Sequence, residues 1–271
     1  MSEPSARSQD PSIDPLGPGA VLPHLRTLSL GRRLFFFRVV DSTNDLFRSG
    51  GLSSARSGTV VVAEEQRKGR GRQGRAWDAP PFRALLFSAL LEVEGGAERA
   101  ALANLVAALA AADAIESIGG PELRIRWPND LVAEERKVAG ILSEYGVSPG
   151  RLVIGIGLNV NQEGAELPEG AASLRTLAGR SFDRGRILAE ILNRLEDHLA
   201  ALDARGFEPL RRRIEERSSL VGRTALLDLG RETVAAPVAG VGPRGGLVLE
   251  IDGRRAEFLD GEVVRVLSPA R

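Results

Sequence analysis

The chain of 271 residues carries 36 Lys and Arg against 36 Asp and Glu, a formal net charge of zero. This balance excludes a basic domain built for bulk nucleic-acid affinity and leaves room only for a local anion site. The absence of cysteine excludes disulfides, thiolate zinc sites and cysteine nucleophiles, and fits a reducing cytoplasm.

Residues 1–32 begin MSEPSARSQDPSIDPLGPGAVLP, where acidic residues and prolines replace any apolar leader segment. That composition reads as a disordered or extended tail rather than a signal or transit peptide. RLFFFRVV (33–40) reads as a strand. DSTNDLFRSGG follows as a short helix, capped by Asp41, Ser42 or Thr43 and ended by Gly50 and Gly51. TVVVAEE (59–65) is a second strand that runs straight into a loop of arginines and glycines, and ALLFSALLEV (84–93) returns as a buried strand. From Glu98 to Ile118 apolar residues recur at helical spacing until Gly119, Gly120 and Pro121 stop the run.

LRIRWPND (123–130) reads as a strand broken by Pro128, and KVAGILSEYGV (137–147) with RLVIGIGLNVN (151–161) as a hairpin-like pair. A helix with an Ile/Leu stripe spans about 184–204, and a charged one roughly 207–217. No apolar run reaches the roughly 20 residues of a bilayer span. His24 and His198 lie far apart with no second ligand at metal spacing, so His198 reads as a surface or helix-end residue. After Leu220 five short alternating segments, cut by Gly and Asp-Gly turns, imply a small closed β-barrel. The expected fold class is α+β, with a domain over 33–219 and a small all-β domain over 220–271.

Four segments carry chemistry. GRGRQGRAW (69–77) gathers three arginines and three glycines. Glycine lets backbone N–H groups approach a ligand, and arginine offers a planar fork of donors suited to phosphate. Alone, this loop would equally suit RNA or a solvated face. The triplet Ser42-Thr43-Asn44 alone is a helix cap, Trp127-Pro128-Asn129-Asp130 a turn, and Lys137 a surface lysine. GIGLNVN (155–161) alone is a strand.

Together and in this order, the segments resemble the biotin protein ligases of the biotin–lipoate protein ligase superfamily, over about residues 33–266. The resemblance implies a class II synthetase-like catalytic domain, a mixed β-sheet with flanking helices, followed by a small SH3-like β-barrel. It implies that biotin and ATP give biotinyl-5′-adenylate and pyrophosphate, after which biotin passes to a lysine of a biotin carboxyl carrier domain. Arg70, Gly71 and Arg72 match the loop that orders over biotin and adenylate, and Arg70, Arg72 and Lys137 match the catalytic cations. Ser42, Thr43, Asn44 and Gln66 match positions that meet the biotin ring, with Gly140 and Gly157 clearing room for ligand. Trp77 matches a shield for the adenine, and Asn129 and Asp130 match polar groups near the adenylate. Asp130 is also the candidate ligand of Mg²⁺.

Arg126 stands where the family usually has lysine before Trp-Pro-Asn-Asp, and Arg265 or Arg271 would supply a C-terminal arginine near the nucleotide. The stretch before the first strand is too short and proline-rich for a helix-turn-helix module, so no DNA partner is expected. Without a spanning run no membrane partner is expected either, and the resemblance implies a monomer or homodimer. A lipoate or octanoate ligase of the same fold is the competing enzyme. An RNA-binding module using the Arg/Gly loop is the competing non-enzyme.

Overall fold

The structure, a computed structural model, describes residues 16–48 and 51–269. The first fifteen residues, Gly50 and Arg271, which figure in the expectations above, lie outside them.

A short helix α1 (Pro18–Val21) precedes β1 (Arg33–Val40), α2 (Asp45–Arg48), β2 (Thr59–Gln66), β3 (Ala84–Glu92) and the long α3 (Gly96–Ser117). Then come β4 (Arg124–Arg126), β5 (Asp130–Ala133), β6 (Arg136–Tyr145) and β7 (Arg151–Asn159). These seven strands form one mixed sheet in the order β1-β2-β3-β7-β6-β5-β4, in which only β1 and β2 run parallel. The parallel pair needs a crossover, and the segment carrying α2 supplies it. The strand expected across 123–130 divides into β4 and β5 at Trp127-Pro128, because proline cannot donate to a ladder.

Helices α4 (Leu174–Ala178), α5 (Arg184–Arg205) and α6 (Glu208–Glu216) follow. Asp183 caps α5 by accepting the Arg186 N–H, and Ser173 caps α4 by accepting that of Thr176. The alanines of α3 let it pack closely against α5 and the sheet. By length and mean hydropathy α3 could cross a bilayer, contrary to the expectation of no such run. Its apolar residues are instead buried in the protein core. The last strands, β8 (Arg223–Asp228), β9 (Thr233–Val241), β10 (Leu247–Ile251), β11 (Arg254–Phe258) and β12 (Glu262–Pro269), form an antiparallel sheet in the order β11-β10-β9-β8-β12. Trp127 Nε1 donates to the Gly245 carbonyl (3.0 Å) and Arg211 to that of Val241 (3.1 Å), fastening this sheet to the larger unit.

Residues 16–32 are not a loose tail: Leu16, Val21, Leu25 and Leu30 are buried, and α1 packs on α5. Polar residues of α5 satisfy the strap's backbone. Asn193 accepts the Arg26 N–H (2.8 Å) and donates to the His24 carbonyl (3.0 Å), while Glu196 accepts N–H groups of Leu28, Ser29 and Leu30. Proline density hid this apolar series.

His198 is likewise buried mid-helix, its Nε2 2.8 Å from Asp113 Oδ2. Asp113 also meets Arg213 at 2.6 Å and Arg217 at 3.1 Å, tying α3 to α5 and α6. Burial pushes the Asp113 carboxyl up, but the His198 hydrogen bond and the two guanidinium charges outweigh it and hold the group below its usual range. A depressed carboxylate contributes stability that is full above its unfolded value, about pH 4, and is lost as pH falls through the folded value. The stability gap between wild type and Asp113→Asn is therefore expected to shrink as pH falls below about 4, as urea titrations at stepped pH would show.

Candidate active site

A cavity of about 270 Å³ opens where the ends of β2, β6 and β7 meet the Arg/Gly loop. Its wall includes Ser42, Thr43, Asn44, Gln66, Arg70, Gly71, Arg72, Trp77, Asn129, Asp130, Lys137, Gly140 and Gly157. The residues matched above to the ring, the adenylate and the catalytic cations thus line one pocket, whereas Arg265 is absent from its lining.

The loop folds back on itself, with Arg70 bridged to Ala76, Gly71 N–H donating to Arg75 (2.6 Å) and Trp77 N–H to Gly69 (2.9 Å). A Cβ at Gly69 would lie 2.2 Å from the Trp77 carbonyl oxygen, so only glycine closes this turn. Each loop arginine meets a carboxylate. Arg70 lies 2.5 Å from Asp45 and 3.4 Å from Glu144, Arg72 lies 2.5 Å from Asp260, and Arg75 lies 2.6 Å from Glu262. The last two partners belong to the β11–β12 turn and β12, so the small sheet clasps the loop. Arg126 pairs with Glu135 and stands outside the pocket lining.

Lys137 Nζ lies 2.7 Å from Asp130 Oδ1 and 5.5 Å from the centre of the Trp77 ring. The indole rests on a cross-strand pair of glycines, Gly140 opposite Gly157. A Cβ would come within 2.5 Å of Trp77 Cε2 from Gly157 and 3.0 Å of Cζ3 from Gly140. The two glycines were expected to make room for a ligand, and in this structure they make room for Trp77. Gly157→Ala is expected to lift the indole from its seat and redden its emission, whereas the other tryptophan, Trp127, is buried and would not respond. An unchanged spectrum would sink this account of the pair.

The polar end of the pocket is deeper. Ser42, Thr43 and Asn44 are all buried. The expected capping role fails, because α2 begins at Asp45 and the Thr43 side chain is engaged elsewhere. Thr43 brings its N–H within 2.8 Å and its hydroxyl within 3.0 Å of Gln66 Oε1. Asn44 Nδ2 donates to Glu144 (2.7 Å) and to the Leu142 carbonyl (3.3 Å). Behind them Ser88 Oγ lies 2.6 Å from Thr43 Oγ1 and 2.5 Å from Asn44 Oδ1. Sequence reasoning missed Ser88 and Glu144. The available signal was a lone hydroxyl inside the apolar run of β3 and a carboxylate inside β6.

A second cavity of about 280 Å³ adjoins the first, sharing Arg72, Asn129, Ile141 and Leu142 and reaching α3, Trp127 and Leu259. Asn129 holds the ridge between them, donating from Nδ2 to the Ile141 carbonyl (3.1 Å) and accepting the Ile141 N–H (2.8 Å). The donor set does not suit a protein-built metal centre. The nearest charge to Asp130 is the Lys137 ammonium, and no group of three metal-ligating side chains occurs among the described residues.

Residues 36–161 match the family model described as the biotin/lipoate A/B protein ligase family. The chain is 33% identical over 233 residues to the bifunctional ligase/repressor BirA of Escherichia coli, covering 83% of this chain and 71% of that protein. It is 32% identical over 242 residues to the biotin–[acetyl-CoA-carboxylase] ligase of Mycobacterium tuberculosis, covering 87% of this chain and 90% of that one. Among solved structures, the biotin protein ligase from Aquifex aeolicus in complex with biotin and ATP superposes with a TM-score of 0.77 at 30% identity, covering 88% of this chain and 99% of that one. On these likenesses in sequence and fold, the chain belongs to the biotin protein ligases of the biotin/lipoate A/B protein ligase family.

Proposed function

We propose that this protein is a biotin–[biotin carboxyl carrier protein] ligase, acting in the cytoplasm where ATP and the carrier domain are at hand. The observation that carries the reading is the single cavity that gathers the ring-binding triplet, the arginine loop and Lys137. The biotin carboxylate attacks the α-phosphorus of ATP, pyrophosphate leaves, and biotinyl-5′-adenylate forms. A neutral lysine amine of the carrier then attacks the acyl carbon, releasing AMP.

Both reactants of the first step are anions, so cations must meet them. One arginine about 4 Å from a phosphate gains on the order of 4 kcal/mol at an effective dielectric of 20, before desolvation is subtracted. Lys137 stabilises charge building on the carboxyl and α-phosphate oxygens. Arg72 and Arg75 leave their carboxylates on the small sheet to meet phosphate. Arg70, gripped by Asp45 and Glu144, shapes the loop around the ring instead. Gln66, Thr43 and Ser42 face the bicyclic ureido ring, and Trp77 covers the adenylate. Mg²⁺ enters as the counter-ion of the nucleotide, part of the substrate.

Incubation with ATP, Mg²⁺ and biotin should yield a mass matching biotinyl-adenylate together with pyrophosphate, and much less product with lipoate or octanoate. Equal turnover of octanoate would move the assignment to the lipoate branch of the family, and RNA retention without adenylate would revive the binding-module reading.

A further inference from the structure

Ser88 has no exposed surface, and it stands on β3 opposite Gly155 of β7. A Cβ at Gly155 would lie 2.3 Å from Asn44 Oδ1, so that glycine is what lets the Asn44 amide reach the Ser88 hydroxyl. Four polar groups then form a line from Glu144 through Asn44 and Ser88 to Thr43, and its proton directions can be worked out.

Asn44 Nδ2 faces a carboxylate and a carbonyl, which only accept, so its Oδ1 must be the atom facing Ser88. That oxygen also only accepts. At 2.5 Å an oxygen pair without a proton between them would be repulsive, so the one Ser88 proton goes to Asn44. Ser88 Oγ is left as an acceptor for the Thr43 hydroxyl, 2.6 Å away. Gln66 Oε1 keeps the Thr43 backbone N–H at 2.8 Å. The opposite sense, with Thr43 donating to Gln66, would leave the single Ser88 proton to serve two short contacts, so either the Asn44 oxygen or the Ser88–Thr43 oxygen pair would go without one in a buried site. With its proton turned inward, Thr43 Oγ1 shows the cavity lone pairs only.

We propose that Ser88, backed by Asn44 and Glu144, is a positioning residue that makes Thr43 a fixed hydrogen-bond acceptor for a ring N–H of the bound ligand. The ligand class is a cyclic urea, which offers two such N–H groups, and fatty acyl chains, which offer none, gain nothing from it. This rests on the biotin reading above. Ser88 touches no ligand and acts through Thr43, so a double-mutant cycle isolates it.

The test is calorimetric titration of the full chain with biotin. Ser88→Ala is expected to weaken biotin about tenfold, the scale of one well-placed hydrogen bond, with the KM for ATP changed less than about twofold. In a Thr43→Ala background the same change should cost less than about twofold. A similar loss in both backgrounds, or no loss in either, overturns the relay. Should Ser88→Ala fail to fold, Ser88→Cys, close in size and a weaker donor, runs the same cycle. Failure of the wild type to bind biotin would instead strike the proposed function, so the two ideas fail separately.

Discussion

Replacing Lys137 with alanine is expected to slow biotinyl-adenylate formation by about 10² to 10³, the loss that follows removal of one preorganised donor from developing charge. The lysine is placed for that task by β6. Its backbone pairs with the 170–172 segment on one side, donating to Gly170 at 2.8 Å and accepting from Ala172 at 2.9 Å, and stands opposite Val132 of β5 on the other. Asp130 and the Trp77 ring flank the ammonium, and Lys137 lines the cavity. Chemically prepared biotinyl-adenylate should restore much of the overall rate, because it enters after the slowed step. Rapid-quench measurement of the two half-reactions separates the outcomes. A variant that forms adenylate at the wild-type rate would make Lys137 a bystander.

Arg184→Ala is expected to cost about 3–5 kcal/mol of stability, the range for removing one partner of a buried ion pair. Arg184 opens α5 with only 1% of its side chain exposed, 2.5 Å from Glu64 Oε2 and 3.1 Å from the Ala84 carbonyl oxygen. Without it, Glu64 stays buried at the end of β2 with the Leu16 N–H as a remaining donor. Arg184→Met combined with Glu64→Leu should recover part of the loss, since no charge is then stranded. Urea unfolding at neutral pH measures both. A single-variant loss below about 1 kcal/mol would mean that water reaches Glu64 freely.

Much of the larger fold was legible because its strands are continuous apolar runs and its helices keep a strict stripe. The 33–40 strand and the 184–204 helix match β1 and α5 to within a residue. The strap over 16–32 was not legible. Its partners Glu190, Asn193 and Glu196 are polar residues of α5 that ordinarily read as a solvated face, and only the tertiary structure shows them saturating another segment's backbone. His198 was misread for the same reason, since its partner lies 85 residues away. The pocket residues were found through motif order rather than physics of any one segment. What that route could not give was direction: which carboxylate each loop arginine faces, or that Gly140 and Gly157 seat an indole. Ser88 escaped because a single hydroxyl in ALLFSALLE looks like tolerated polarity, and its importance depends on Gly155 across the ladder.

The clasp between the loop and the small sheet makes the resting protein behave like a loaded ion exchanger. Arg72 and Arg75 already hold carboxylates, one of them, Asp260, with 87% of its side chain exposed. Exposed pairs of this kind are worth about 0–1 kcal/mol each, so they order the loop yet yield to a polyphosphate. Each arginine swaps one anion for another, and added salt screens the pair that is lost as well as the pair that is gained. Nucleotide affinity should therefore fall more gently with ionic strength than it would for bare cations. Asp260→Asn removes one of the stored anions, and titrations of nucleotide across a salt series should show a steeper slope for that variant than for the wild type.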